Sequence, residues 1–290
     1  MNYLSGVAAS NPAILWLACR WLERGGSCTL TEINQALRPS AIVEGQGDQL
    51  RDSLDVGKDI GIIEFKEETK QYTLVPGYPD CSFASYKGFK AYLRSSLLDK
   101  AVNEIATDVR PSDVALGLAW LSTLDPLVPL GWTWNDGVEE LVNNTGKMRS
   151  VISNQTQWTS FKRWAIALGM GYEIKIAKNV KFQADPTEAI LEVIGQHGRL
   201  KISAAEFIKL LSTKIPCLFP GPIMAYLKNL DVELSSRGDS SIGLQMGYVL
   251  EKLNKRGFIT LKAADDSRDR VSYTWANREK TFDFVEFGEN

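Results

Sequence analysis

One order of elements, written twice along the chain, constrains the fold more than any other feature. Asn11-Pro12 pairs a cap residue with proline at the first helical position. Ile14, Leu15, Leu17, Ala18, Trp21 and Leu22 then recur at helical spacing until Gly25-Gly26 ends the run. The β-prone Cys28-Thr29-Leu30 follows, and Thr31 is expected to cap a second helix carrying Ile33, Ala36 and Leu37 and stopped by Pro39. Beyond the Gly-rich Glu44-Gly45-Gln46-Gly47, a third helix holds Leu50, Leu54 and Ile60. Ile62-Ile63-Glu64-Phe65 and Gln71-Tyr72-Thr73-Leu74-Val75 flank a charged tip, Lys66-Glu67-Glu68-Thr69-Lys70. Helix, short strand, helix, helix and hairpin is the order of a winged helix-turn-helix. The breaker cluster Pro76-Gly77-Tyr78-Pro79-Asp80 closes it.

The same order returns near the C-terminus. Pro186-Thr187 opens a helix with Ile190, Leu191 and Ile194, Leu200-Lys201-Ile202 is the short strand, and Ser203 with Glu206 forms a capping box for the next helix. An inserted stretch around Pro216–Gly238 precedes a helix expected from about Ser241 to Arg256. Phe258-Ile259-Thr260-Leu261 and Val271-Ser272-Tyr273-Thr274-Trp275 then read as a hairpin around the tip Asp265–Asp269. Between the two copies, Ala84–Asp108, Asp113–Leu124, Asn135–Leu141 and Trp158–Leu168 have helical patterns. Tyr172–Ile176 and Val180–Phe182 alternate around Ala177-Lys178-Asn179 as a wing does. The reading is a mainly α protein with small β wings, built of tandem winged helix-turn-helix modules around a helical middle. Its divisions are an N-terminal module over 1–80, a middle region over 81–183 with a winged-helix-like module at 135–183, and a C-terminal module over 184–290.

Composition limits what such a chain does. Its 290 residues are 44% hydrophobic and 23% charged with a net charge of -2, which excludes a disordered chain and a uniformly basic surface. Apolar runs such as Ala13–Cys19 and Val114–Leu121 are far short of a membrane span, and Met1-Asn2-Tyr3-Leu4-Ser5 lacks a signal-peptide pattern, so a cytoplasmic protein with no membrane partner is expected. Cys19, Cys28, Cys81 and Cys217 are too scattered for a zinc site and read as reduced thiols. His197, the one histidine, sits at a helix end, where it suits the dipole. No metal or cofactor is implied.

The segment from Asn154 to Gly169 best fits a helix that reads nucleic acid. Trp158, Phe161, Ala165 and Leu168 share one face, and Thr156, Gln157, Thr159, Ser160, Lys162 and Arg163 are expected to project opposite. Hydroxyls and amides at a helix N-terminus bond phosphate oxygens or base edges. Lys147, Arg149, Lys175, Lys178 and Lys181 surround the helix, with Glu173 the one acid among the strand charges, and such cations displace the counterions of duplex DNA. The same residues also read as a solvated helix face with ordinary surface lysines. The first module's third helix carries Asp52, Asp55 and Asp59 and suits a protein partner instead. In the last module Gln245, Tyr248, Lys252, Lys255 and Arg256, with Arg268 and Arg270 in the wing, are offset by Asp265, Asp266 and Asp269.

Enzymatic signatures fail. There is no phosphate-binding Gly-x-x-x-x-Gly-Lys-Ser/Thr loop and no nucleophile elbow. Glu64-Phe65-Lys66 and Glu173-Ile174-Lys175, with an upstream acid such as Asp59, could hold the metal of a nuclease, yet such triplets are ordinary in hairpins. Trp120, Trp132, Trp134, Trp158 and Trp164 read either as base-stacking platforms or, among Leu, Ala and Pro, as core.

Asp125-Pro126-Leu127-Val128-Pro129-Leu130-Gly131-Trp132, the run from Asn154 to Ala165, and Leu253-Asn254-Lys255-Arg256-Gly257 with Asp265-Asp266-Ser267 together resemble the DpdG-type proteins. Those belong to bacterial clusters that insert 7-deazapurine derivatives into DNA and restrict unmodified DNA. The resembling motifs are apolar and structural, so the resemblance transfers no active-site residue. It implies a role on the restriction side of a phage-defence system, beside helicase- or nuclease-like subunits, and no defined reaction. Joined to the reading of the residues, the expectation is a non-enzymatic DNA-binding or adaptor component with double-stranded DNA as a further partner. The alternatives are a scaffold that never touches DNA and a metal-dependent nuclease.

Overall fold

The computed structural model describes residues 2–4, 10–37, 49–77, 83–233, 242–264, 270–275 and 278–287. Pro39, Glu44–Gly47, Tyr78–Asp80, Cys81, Arg268 and the tip Asp265–Asp269 lie outside them. The described chain is mainly helical, with small antiparallel sheets.

The first unit runs α1 (Pro12–Gly25), β1 (Cys28–Thr29), α2 (Leu30–Leu37), α3 (Gln49–Asp59), β2 (Ile63–Lys66) and β3 (Gln71–Leu74), with sheet order β1-β3-β2. Asn11 caps α1 by accepting from Ala13 N at 2.9 Å. The expected cap of α2 moves two residues upstream: Thr29 Oγ1 accepts from Glu32 N at 3.3 Å, and Thr29 N donates to Glu32 Oε2 at 2.7 Å. This reciprocal pair satisfies two helix-start donors, which Thr31, already inside the helix, does not do.

A long helix, α4 (Tyr86–Ala106), leads to the second unit: α5 (Asp113–Leu121), β4 (Leu130–Gly131), a π-helical turn (Trp134–Val138) running into α6 (Glu139–Asn143), α7 (Gln155–Ala167), β5 (Gly171–Ile176) and β6 (Asn179–Ala184). Its sheet order is β4-β6-β5. Every residue of α5 is buried, and a Cβ at Gly117 would come within 2.5 Å of the Phe161 ring, so α5 and α7 meet at glycine distance.

The third unit contains α8 (Thr187–Gly195), β7 (Leu200–Ser203), α9 (Ala204–Lys214), α10 (Pro222–Tyr226), α11 (Leu244–Lys255), β8 (Ile259–Lys262), β9 (Val271–Trp275), β10 (Arg278–Phe282) and β11 (Phe284–Phe287). Ser203 and Glu206 form the capping box expected of them. The expected hairpin between Phe258–Leu261 and Val271–Trp275 does not form. β8 instead pairs with β11 in a sheet of order β7-β11-β8, and β9 pairs with β10. All three units therefore place their last strand between the other two.

The units interlock. Tyr3 N and Leu4 N donate to the two carboxylate oxygens of Asp113 at 2.8 and 3.0 Å, and Trp164 Nε1 donates to Ser10 at 3.2 Å. Arg94 on α4 donates to the carbonyl of Leu168 at 3.0 Å and to Glu192 on α8 at 2.6 Å. Among the described residues no helix is long and apolar enough to cross a membrane.

Candidate nucleic-acid interface

Asn154 starts α7 by accepting from Gln157 N at 3.0 Å. The expected apolar stripe of Trp158, Phe161, Ala165 and Leu168 is buried. The opposite stripe is not wholly free, however: Ser160 and Lys162 are 1% and 3% exposed. Lys162 is covered by the segment between β4 and the π-helical turn, which crosses α7. Gln155 accepts from Trp134 N at 2.6 Å, Trp158 Nε1 donates to the Gly131 carbonyl at 3.1 Å, and Lys162 donates to the Trp132 carbonyl. These residues stand at i, i+3 and i+7, so one line of the helix grips residues 131–134. Lys162 Nζ lies 3.6 Å from the centre of the Trp132 ring, and burial, with Arg163 beside it, pushes its pKa down to about 8. A cation on an aromatic face with a carbonyl acceptor recovers part of its lost hydration. Gln157 is also engaged, accepting from Ser153 N at 2.7 Å.

Of the surrounding basic residues, Lys147 pairs with Asp231 at 2.8 Å and Lys181 with Asp136 at 2.7 Å. Arg149 reaches Asn143 at 2.5 Å and Glu139 at 3.6 Å. Thr156 and Arg163 on α7, Lys175 on β5 and Lys178 at the tip of the β5–β6 hairpin are exposed, and the three cations have no ion-pair partner among the described residues. The hairpin also exposes Tyr172 and Ile176. The basic island thus divides into four cations engaged within the fold and three that face water.

The other two units present less. In the first, Asp55 pairs with Lys58 at 3.6 Å, while Asp59 accepts from the Tyr3 hydroxyl at 2.5 Å and pairs with Lys100 at 3.4 Å. Asp59 is therefore committed to Tyr3 and Lys100 within the fold. Among the described residues no three His, Cys, Asp or Glu side chains group as metal ligands. In the third unit Gln245 is buried, Lys252 pairs with Asp185, and Lys255 approaches Glu251 at 3.7 Å. Trp120, Trp134, Trp158 and Trp164 are core residues, and Trp132 is half-buried under Lys162. Cys19, Cys28 and Cys217 are buried free thiols, and burial pushes Cys217 up to about 12.

Sequence reasoning missed one concavity, a cleft of about 890 Å³ whose lining includes Lys87, Tyr172, Asp185, Glu192 and Lys252. Its walls come from α4, β5, α8 and α11, so no local pattern announces it.

Compared with known protein families, residues 1–267 match a family model described as DpdG-like. No curated protein and no solved structure matches the chain.

Proposed function

The chain belongs to the DpdG-like family, and from that premise we propose that it serves a bacterial 7-deazapurine modification–restriction system as a DNA-binding or adaptor component without its own catalysis. On this reading the three units are winged-helix modules, and the second is the one that meets duplex DNA. The observation that carries it is the pairing state of the second unit's cations: among the described residues Arg163, Lys175 and Lys178, on α7 and its wing, have no ion-pair partner while their neighbours are engaged. Unpaired cations on a helix and an adjoining wing track a phosphate backbone. Thr156 adds a hydroxyl at the helix N-terminus. Lys162 and Gln157, hydrogen-bonded within the fold, and the buried Ser160 position this face rather than touch DNA, and Lys147, Arg149 and Lys181 support it through their ion pairs.

The adaptor side has its own support in the exposed Leu17 and Trp21 of α1 and in Leu127 and Val128 of the loop before β4. Helicase- or nuclease-like subunits are the partners this reading expects. The test is duplex binding by the full chain across a salt series. Arg163→Glu with Lys175→Glu and Lys178→Glu is expected to weaken binding and flatten the salt slope by about three, at roughly 0.9 per lost phosphate contact. Unchanged affinity and slope would remove DNA from this face and leave the scaffold reading.

A further inference from the structure

β5 runs against the alternation that its own unit sets. Phe182, opposite Glu173 in the β5–β6 register, is fully buried beside Trp158 of α7, so its face of the sheet is the inner one. On β5 that inner face carries Gly171, Glu173 and Lys175, while Tyr172, Ile174 and Ile176 lie on the outer one. Tyr172 and Ile176 are 41% and 48% exposed, and Ile174 is half-buried. A sheet with one solvated face ordinarily puts polar residues there.

β5 is also an edge. It ends the order β4-β6-β5, and among the described residues β6 is its only strand partner. It has six residues, against four or fewer at the edges of the other three-stranded sheets. The two-residue turn at 177–178 closes on the pair Ile176–Asn179, so Ile176, Ile174 and Tyr172 turn their backbone groups to β6. Those of Glu173 and Lys175 point outward, and among the described residues no backbone group bonds them there.

We propose that β5 pairs antiparallel with β5 of a second copy of this chain, about a two-fold axis at Ile174. The residues of the strand select both the occupant and the register. With the axis at Ile174, each Glu173 opposes Lys175 of the second copy, and each Tyr172 opposes its Ile176. The Glu173–Lys175 pairs are then the hydrogen-bonded ones and use the outward N–H and C=O groups of both residues. Within one copy neither side chain has an ion-pair partner among the described residues. An axis at 173 or 175 would instead oppose like charges. A lone edge lysine repels other strands, whereas Glu173 makes this edge complementary to itself. The proposal stands apart from the DNA reading: it engages Lys175 and does not use Arg163 or Lys178.

Sedimentation equilibrium of the full chain is the test. The parent is expected to dimerise reversibly below about 100 µM, within reach of a small interface. Glu173→Lys and Lys175→Glu each turn both charge pairs of the dimer into like charges, so each should raise the dissociation constant about tenfold or more. An equimolar mixture of the two variants should dimerise as the parent does, because their charges again oppose. Ile174→Cys at the axis falls in a non-hydrogen-bonded pair, whose spacing fits a disulfide, and should oxidise to a covalent dimer that the parent does not form. A parent that stays monomeric throughout overturns the proposal. So does a dimer that both single changes leave intact, or a pair of cooperatively melting variants that stay monomeric when mixed. An Ile174→Cys chain that cross-links no more than the parent overturns it as well, even if a charge variant does not fold.

Discussion

Lys162 shows how one side chain changes the reading of a helix. The sequence reading sets it opposite the apolar stripe, but it stands one turn from both Trp158 and Ala165, at the edge of that stripe, and it is 3% exposed because a second layer, residues 131–134, covers that side. Helical phase is a local property and can be read from spacing. What crosses the far face comes from some 30 residues upstream and has no signature in that spacing. The consequence is a definite pH dependence. The folded lysine titrates near 8, against an ordinary value of 10.5. Between these values the unfolded chain binds more protons, so stability rises with pH across that window. Tyr3 and Tyr273, both pushed up by burial and by carboxylate partners, act oppositely once unfolded tyrosines ionise near about pH 10. The thiols of Cys19, Cys28 and Cys217, all raised by burial, also act oppositely as unfolded thiols ionise near about pH 8.5. The lysine is therefore read by difference: between about pH 8 and pH 9.5 the urea midpoint of the parent is expected to climb relative to that of Lys162→Met, and a constant difference would assign the pH dependence to other groups.

Elements closed by local chemistry were legible, and those closed at a distance were not. Asn11, Ser112, Asn154 and the Ser203–Glu206 box all cap helices near where the residues announce them, because a cap needs only its own first turn. The β2–β3 and β5–β6 hairpins likewise follow from short polar tips between alternating strands. The third misleads because Phe258–Leu261 and Val271–Trp275 both read as strands, and the nearest strand is the default partner. The true partner of β8, Phe284–Phe287, lies beyond a self-paired hairpin. The corner where that hairpin rejoins the sheet is held by Asp283, which is fully buried. It accepts from Ala264 N at 2.6 Å and Arg270 Nε at 3.3 Å, and its carbonyl accepts from Ala204 N at 2.8 Å. Asp283→Ala strands a buried amide and an arginine, so a loss of about 3 kcal/mol is expected in denaturant unfolding. A loss below about 1 kcal/mol, the scale of one ordinary hydrogen bond, would mean that the corner holds without it.

At the scale of the whole molecule, the near-zero net charge is the sum of cations spent on assembly and cations left over. The sequence shows 33 basic and 35 acidic residues but not which of them pair, because several of the pairs join segments far apart in the chain. Arg94 is the clearest case. It is 3% exposed and ties α4 to the end of α7 through Leu168 and to α8 through Glu192. It belongs to no motif, and Lys87 and Lys90 precede it on the same stripe of α4, so nothing local marks it as a junction. Arg94→Met leaves Glu192 buried with neither oxygen paired, since its Oε1 already lacks a hydrogen-bond partner among the described residues. The expected loss is about 3–5 kcal/mol. Arg94→Met with Glu192→Leu removes both charges and should recover most of it, because an apolar pair of similar volume replaces a buried ion pair at little cost. If the units fold as one interlocked body, tryptophan fluorescence and far-ultraviolet circular dichroism should give coincident unfolding curves for the parent and the double variant. Separate transitions in the parent would show that Arg94 joins units that are already independently stable. An unrecovered double variant would place the importance of Arg94 in its bond to the Leu168 carbonyl, not in its charge.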